Sequence, residues 1–152
     1  MKWKKADLQQ YVQAKEYIDT IILPLAPFQF SNDTDLEKMS FQHEVLTLLC
    51  SEIEKELTGR LLLTPIYNYV KTAEKEMEVQ RVNGWVNNLQ AQPFSHIFFI
   101  SFDSSWKKVE SQLNGTLLWI PGIQSGDLQS AEMHGVIKDQ VEQLTEFMRS
   151  YW

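Results

Sequence analysis

Apolar residues along this chain fall into two kinds of run, and the two alternate. Four short stretches are apolar on nearly consecutive positions: Ile18–Leu25, Arg60–Tyr67, Ser95–Asp103 and Thr116–Ile120. Runs of this length, rich in branched and aromatic residues, suit strands covered on both faces. Around them, apolar residues return every three or four positions, the period of a helix with one buried side. The third stretch, Ser-His-Ile-Phe-Phe-Ile-Ser-Phe-Asp, is apolar on both faces and is expected to be the central strand.

The helical segments are read from their caps and stripes. Asp7, with Gln10 three residues later, opens a short helix as a capping box, and Leu8, Tyr11 and Val12 give it one apolar side. Pro24 is expected to end the first strand, and residues 26–39, with Pro27, Ser31, Asn32 and Asp33, read as loop. A second helix starts at Ser40 and buries Phe41, Val45, Leu48, Leu49, Ile53 and Leu57, with Gly59 as its terminal cap. Thr72 caps a third helix that buries Met77, Val82, Trp85, Val86 and Leu89 and is closed by Pro93. A short helix around Trp106, Val109 and Leu113 follows the central strand, and Asn114-Gly115 turns the chain into the fourth strand. Pro121-Gly122 stops that strand, and the polar stretch 122–129 reads as a mobile loop. The last helix, Ser130 to Tyr151, carries the stripe Met133, Val136, Ile137, Val141, Leu144, Met148 and Tyr151.

Strands joined through helical crossovers run parallel, and each crossover is right-handed. The alternation therefore predicts a single α/β domain over residues 1–152: a three-layer α-β-α sandwich with about four parallel strands, Rossmann-like or flavodoxin-like. The favoured strand order is 2-1-3-4, with the first and third strands inside.

In such sheets ligands bind beyond the carboxyl ends of the strands. The residues this predicts at that edge are Tyr67, Tyr69, Asp103, Ser104, Ser105, Trp106 and Trp119. Asp103 is the most site-like of them, because a carboxylate at the end of a central strand can hold a metal, accept a phosphoryl group or bind a ribose. Each use needs a second group. Phosphoryl-accepting response-regulator domains keep an acidic pair after the first strand; here that place reads Leu23-Pro24-Leu25-Ala26. Dehalogenase-type enzymes want a second Asp two residues on; here it is Ser105. Asp103 is therefore read as the N-cap of the short helix, with Ser104 or Ser105 as competitors. The four aromatics are expected to gather near the ligand edge, with core and rim packing as the plain alternative. Trp3 and the pair Tyr151-Trp152 look exposed by position, and the aromatic terminus is expected to dock on the domain or on a second copy.

Other chemistry finds little support. The phosphate-cradling patterns G-x-G-x-x-G and G-x-x-x-x-G-K-[ST] are absent. Gly122 and Gly126, with Ser125, are the only glycine pair near a strand end. None of His43, His96 and His134 stands four residues from another His or from the cysteine, so metal spacing is missing. No nucleophile elbow of the G-x-S-x-G type occurs. Neither a cofactor nor a metal is expected.

Composition narrows the setting. Hydrophobic residues make up 43% and charged residues 22% of 152, as in an ordinary folded chain. The net charge of −6 argues against nucleic-acid binding, with Lys2, Lys4, Lys5 and the pair Lys107-Lys108 as the local basic exceptions. Cys50 is the sole cysteine, so no internal disulfide forms, as suits a reducing cytoplasm. No signal core or membrane-length apolar run is seen.

Met1-Lys2-Trp3, Tyr11, Lys15-Glu16-Tyr17-Ile18-Asp19-Thr20 and Leu23-Pro24-Leu25 resemble the YpiF-like family, short proteins of unknown function from Bacillus and its relatives. The resemblance implies a cytoplasmic protein of a Gram-positive bacterium and carries no catalytic residues. Two readings of function follow from the residues. The first is a domain acting through an unknown protein partner, with regulation and self-association open and no catalysis. The second is a small-molecule or nucleotide-binding enzyme with its site at the carboxyl edge.

Overall fold

The stretch read as the central strand is an interior strand. Strand β4 (His96–Ser101) lies between β1 (Thr20–Phe28) and β5 (Thr116–Trp119), and all three run parallel. The computed structural model describes residues 1–123 and 126–152. Outside β1 lie β2 (Leu61–Leu63) and β3 (Tyr67–Val70), both parallel to it. The sheet order is β2-β1-β4-β5, with β3 also beside β1. This departs from the expected order only in that the second strand comes in two pieces.

That split explains why Pro24 does not end β1. In a strand, successive backbone groups alternate sides. The Ile22 carbonyl accepts from Thr64 N–H, so Pro24, two residues on, faces the same side. There it meets the gap between the two ladders, in which Pro24 has no paired residue. Pro27 faces the other side, beyond the end of β4. A proline is tolerated where its missing N–H has no partner to satisfy. The strand therefore continues to Phe28, and residues 26–39 are not all loop: α2 (Leu36–Glu56) also begins four residues before Ser40.

Strand alternation divides the core into two faces. Ile21, Leu23, Leu25, Ile97 and Phe99 pack with α1 (Lys5–Gln13), α3 (Lys75–Leu89) and a 3₁₀ helix (Ser104–Gln112). Ile22, Ala26, Phe98 and Ile100 pack with α2 and α4 (Ala131–Arg149). This is the expected three-layer sandwich.

Several local expectations shift. The Asp7 carboxylate accepts from Lys2 N–H at 2.7 Å, while α1 starts at Lys5. Glu74, not Thr72, precedes α3. Met77 and Val136 lie on exposed helix faces, and Trp85 is only partly covered, standing edge-on to Tyr67. Ser130 caps α4 by accepting from Met133 N–H at 3.1 Å. Within the expected mobile loop, Gln124 and Ser125 lie outside the described residues.

Trp3 is exposed, but the aromatic terminus docks on the domain itself. Trp152 Nε1 donates to Thr20 Oγ1 at 3.0 Å, and Arg60 stacks 3.8 Å from the Trp152 ring centre. Tyr151 stands edge-on to Phe98 at 5.2 Å. Among the described residues no helix is long and apolar enough to cross a membrane.

Candidate functional site

Asp103 stands where β4 hands over to the 3₁₀ helix, and it is the N-cap there. Its Oδ1 accepts from Ser105 N–H at 3.0 Å and from Ser105 Oγ at 2.6 Å. Its Oδ2 accepts from Tyr69 Oη at 2.5 Å and from Lys75 Nζ at 3.1 Å. A carboxylate offers about four lone-pair positions, so this one is filled by the protein. Burial opposes the charge on Asp103, yet the bonds from Ser105 and Tyr69 and the Lys75 ammonium outweigh it and hold the carboxyl below its usual range. Burial, then the bond to Asp103, pushes the Tyr69 phenol far above its ordinary value.

The partners are fixed in turn. Trp106 Nε1 donates to Tyr69 Oη at 2.8 Å, and the Lys75 ammonium sits 4.2 Å from the Tyr69 ring centre and 4.7 Å from that of Trp106. Lys75 is thus held by two π faces and one carboxylate, with its side chain only 12% exposed. Tyr67 stacks on Tyr69 and donates to the buried Glu78, which also pairs with Arg81 at 2.8 Å. Burial and the Glu78 contact push the Tyr67 phenol up to about 12. Trp119 lies apart from this group: its Nε1 donates to Phe102 O at 3.3 Å, and Lys107 covers its ring.

The aromatics therefore gather as core, beneath α3 and the 3₁₀ helix, rather than around an opening. The opening lies elsewhere. A cleft of about 300 Å³ separates the exits of β1 and β4 from the start of α2. Its walls include Leu25–Pro27, Phe102–Ser104, Gly122, Asp35, Lys38, Met39, Gln42, His43 and Lys71. In this sheet the crossovers from β1 go first to β2 and β3 and then back to β4, so the crevice between β1 and β4 is where strand order reverses. Of the seven residues expected at the ligand edge, Asp103 and Ser104 line the cleft. Nothing in the sequence marks Lys38, Gln42, His43 and Lys71 for this edge: Lys38 falls in the stretch that reads as loop, Gln42 and His43 fall in the expected second helix, and Lys71 lies just beyond β3.

Two further features complete this edge. Gln29 is buried, and its carboxamide fixes the turn after β1: Oε1 accepts from Asn32 N–H at 2.8 Å and Ser31 Oγ at 3.1 Å, and Nε2 donates to Asn32 O at 2.8 Å. That turn carries Phe30, which is 81% exposed and edge-on to Phe28. Phe28 pairs in register with Val70, and both are substantially exposed. Among the described residues no group of three or more His, Cys, Asp or Glu side chains is arranged to hold a metal ion.

Fold and site define a three-layer α/β domain with a parallel sheet and a cleft at its switch point. The chain belongs to the family described as Protein of unknown function (DUF2487), whose model matches residues 9–152. It is 26% identical over 152 residues to an uncharacterized protein, YpiF, of Bacillus subtilis (strain 168), an alignment covering all of this chain and 98% of the relative. The family resemblance read from the sequence is thereby shown. No solved structure matches.

Proposed function

We propose that the protein is a cytoplasmic, non-catalytic interaction domain that meets a protein partner at the carboxyl edge of its sheet. The observation that carries this is Phe30, four-fifths exposed on a turn that Gln29 holds with three hydrogen bonds. An aromatic ring on a mobile turn would fold away from water; this one is held out, next to Phe28 and Val70. Contiguous exposed apolar surface of this kind marks binding sites, and aromatic residues dominate their energetics. The absence of catalysis is supported by Asp103, whose acceptor positions are all used inside the fold.

The test is affinity capture with wild-type protein and with Phe30→Ser. Saturable recovery of one protein by wild type, lost with Phe30→Ser and kept with Val136→Ser on the exposed face of α4, supports the reading. Equal recovery by all three, or none under native conditions, overturns it. Light scattering at two concentrations identifies the case in which the partner is a second copy.

A further inference from the structure

We infer that the cleft between β1 and β4 is a binding site for the anionic head, phosphate or carboxylate, of a small molecule. The inference goes beyond the interaction reading and stands without it. It starts from unequal donor and acceptor supply around the cavity. Lys38, Gln42 and Ser104 line the cleft, and their side chains make no hydrogen bond or ion pair among the described residues. Lys71 is held only by Asp35, at the long distance of 4.0 Å. On the acceptor side, Asp103 is filled by Tyr69, Lys75 and Ser105. The cleft thus presents two ammonium groups, an amide and a hydroxyl against one free carboxylate, Asp35, an excess of positive charge and of donors. A ligand that brings its own acceptors and negative charge completes it.

Location and shape agree with this. The cavity of about 300 Å³ is at the lower end of small-molecule pockets and lies at the reversal of strand order, where open parallel sheets take their ligands. Asp103 does not repel an anion as a bare carboxylate would, because Lys75 neutralises it from behind. Gly122 has a part as well. A Cβ there would fall 2.8 Å from Gln42 Nε2 and 3.3 Å from Phe102 Cβ, so glycine leaves the Gln42 amide its place in the cleft wall.

The experiment is a two-dimensional amide NMR titration of the whole chain with inorganic phosphate, and in parallel with acetate, at constant ionic strength. We expect saturable shifts confined to residues 38–43, 71 and 102–104. Lys38→Met and Lys71→Met each weaken the response about tenfold, as removal of one charge-assisted contact does. Gly122→Ala weakens it while the remaining spectrum stays folded. Lys138→Met on α4 and Phe30→Ser leave it unchanged, the latter keeping this site separate from the interaction patch. Phosphate alone saturating points to a phosphorylated ligand, and acetate alone to a carboxylate. Shifts that do not saturate, that spread over surface lysines, or that survive both lysine substitutions overturn the inference, as does silence with both anions.

Discussion

Replacing Tyr69 by phenylalanine removes a single oxygen from a side chain that is 3% exposed. That oxygen donates to Asp103 Oδ2 at 2.5 Å and accepts from Trp106 Nε1 at 2.8 Å. Trp106 is fully buried, so its N–H is left with no acceptor and no water. A buried donor without a partner costs ~1–3 kcal/mol, and a hydrogen bond to a charged group contributes ~1.5–3 kcal/mol. The two overlap, because Lys75 and Ser105 still hold Asp103, and the expected loss is about 3 kcal/mol. In urea the unfolding midpoint falls with an unchanged slope. The melting temperature drops by roughly 6–12 °C, at ~2–4 °C per kcal/mol for a domain of this size. A double-mutant cycle with Asp103→Asn isolates the pair and should give a coupling above about 1 kcal/mol. A loss under about 1 kcal/mol, together with no coupling, refutes the view that this network is structural and returns Asp103 to consideration as a group held ready for chemistry.

Other expectations rest on separate features. Gly115→Ala should destabilise by ~1–3 kcal/mol, because a Cβ there would meet Phe99 Cε2 at 2.7 Å and Ile97 O at 2.8 Å; thermal unfolding checks it, and an unchanged midpoint contradicts it. The Asp103 carboxyl is held below its ordinary value, so near and below the unfolded pKa of ~3.9 the unfolded chain binds more protons than the folded one. Its contribution is complete above that pH and fades as pH falls through the folded pKa. Asp103→Asn should therefore flatten the acid limb of the stability curve, and an identical limb in both proteins rules the account out. Trp152→Ala removes the Arg60 stack and the bond to Thr20 and should cost ~1–3 kcal/mol in denaturant unfolding. Burial pushes the Cys50 thiol up to about 12, so a thiol reagent should modify it only as fast as the protein opens, and rapid modification of the native state would contradict that.

What the sequence disclosed follows from how local each cause is. The strands were legible because coverage on both faces leaves no polar alternation to confuse with a helix. The Asp103 cap was legible because Ser105, which supplies two of its bonds, is two residues away. Its other partners, Tyr69 and Lys75, come from β3 and α3, and no spacing announces them. Pro24 and Pro27 misled because a sequence shows that an N–H is missing but not which side of the strand it would face. The aromatics do assemble, but alternation turns both Tyr67 and Tyr69 to the face that α3 covers, so they fill core instead of lining an opening. The cleft lysines, Lys38 and Lys71, lie on different elements and look like ordinary surface charge until the fold brings them together.

The break at Thr64-Pro65-Ile66 divides the outer strand into two hydrogen-bonded ladders that share no bond across the gap. Cooperativity in a sheet passes from one ladder bond to the next, and here it is interrupted. The Leu61–Leu63 piece is tied to the start of β1, Thr20–Ile22, while the Tyr67–Val70 piece is tied to its exit, Leu25–Phe28. The two pieces are therefore held by different means: the outer one depends on the bonds that Tyr67 and Tyr69 make to Glu78, Asp103 and Trp106 as well as on its ladder. Amide exchange should separate the two pieces into different protection classes.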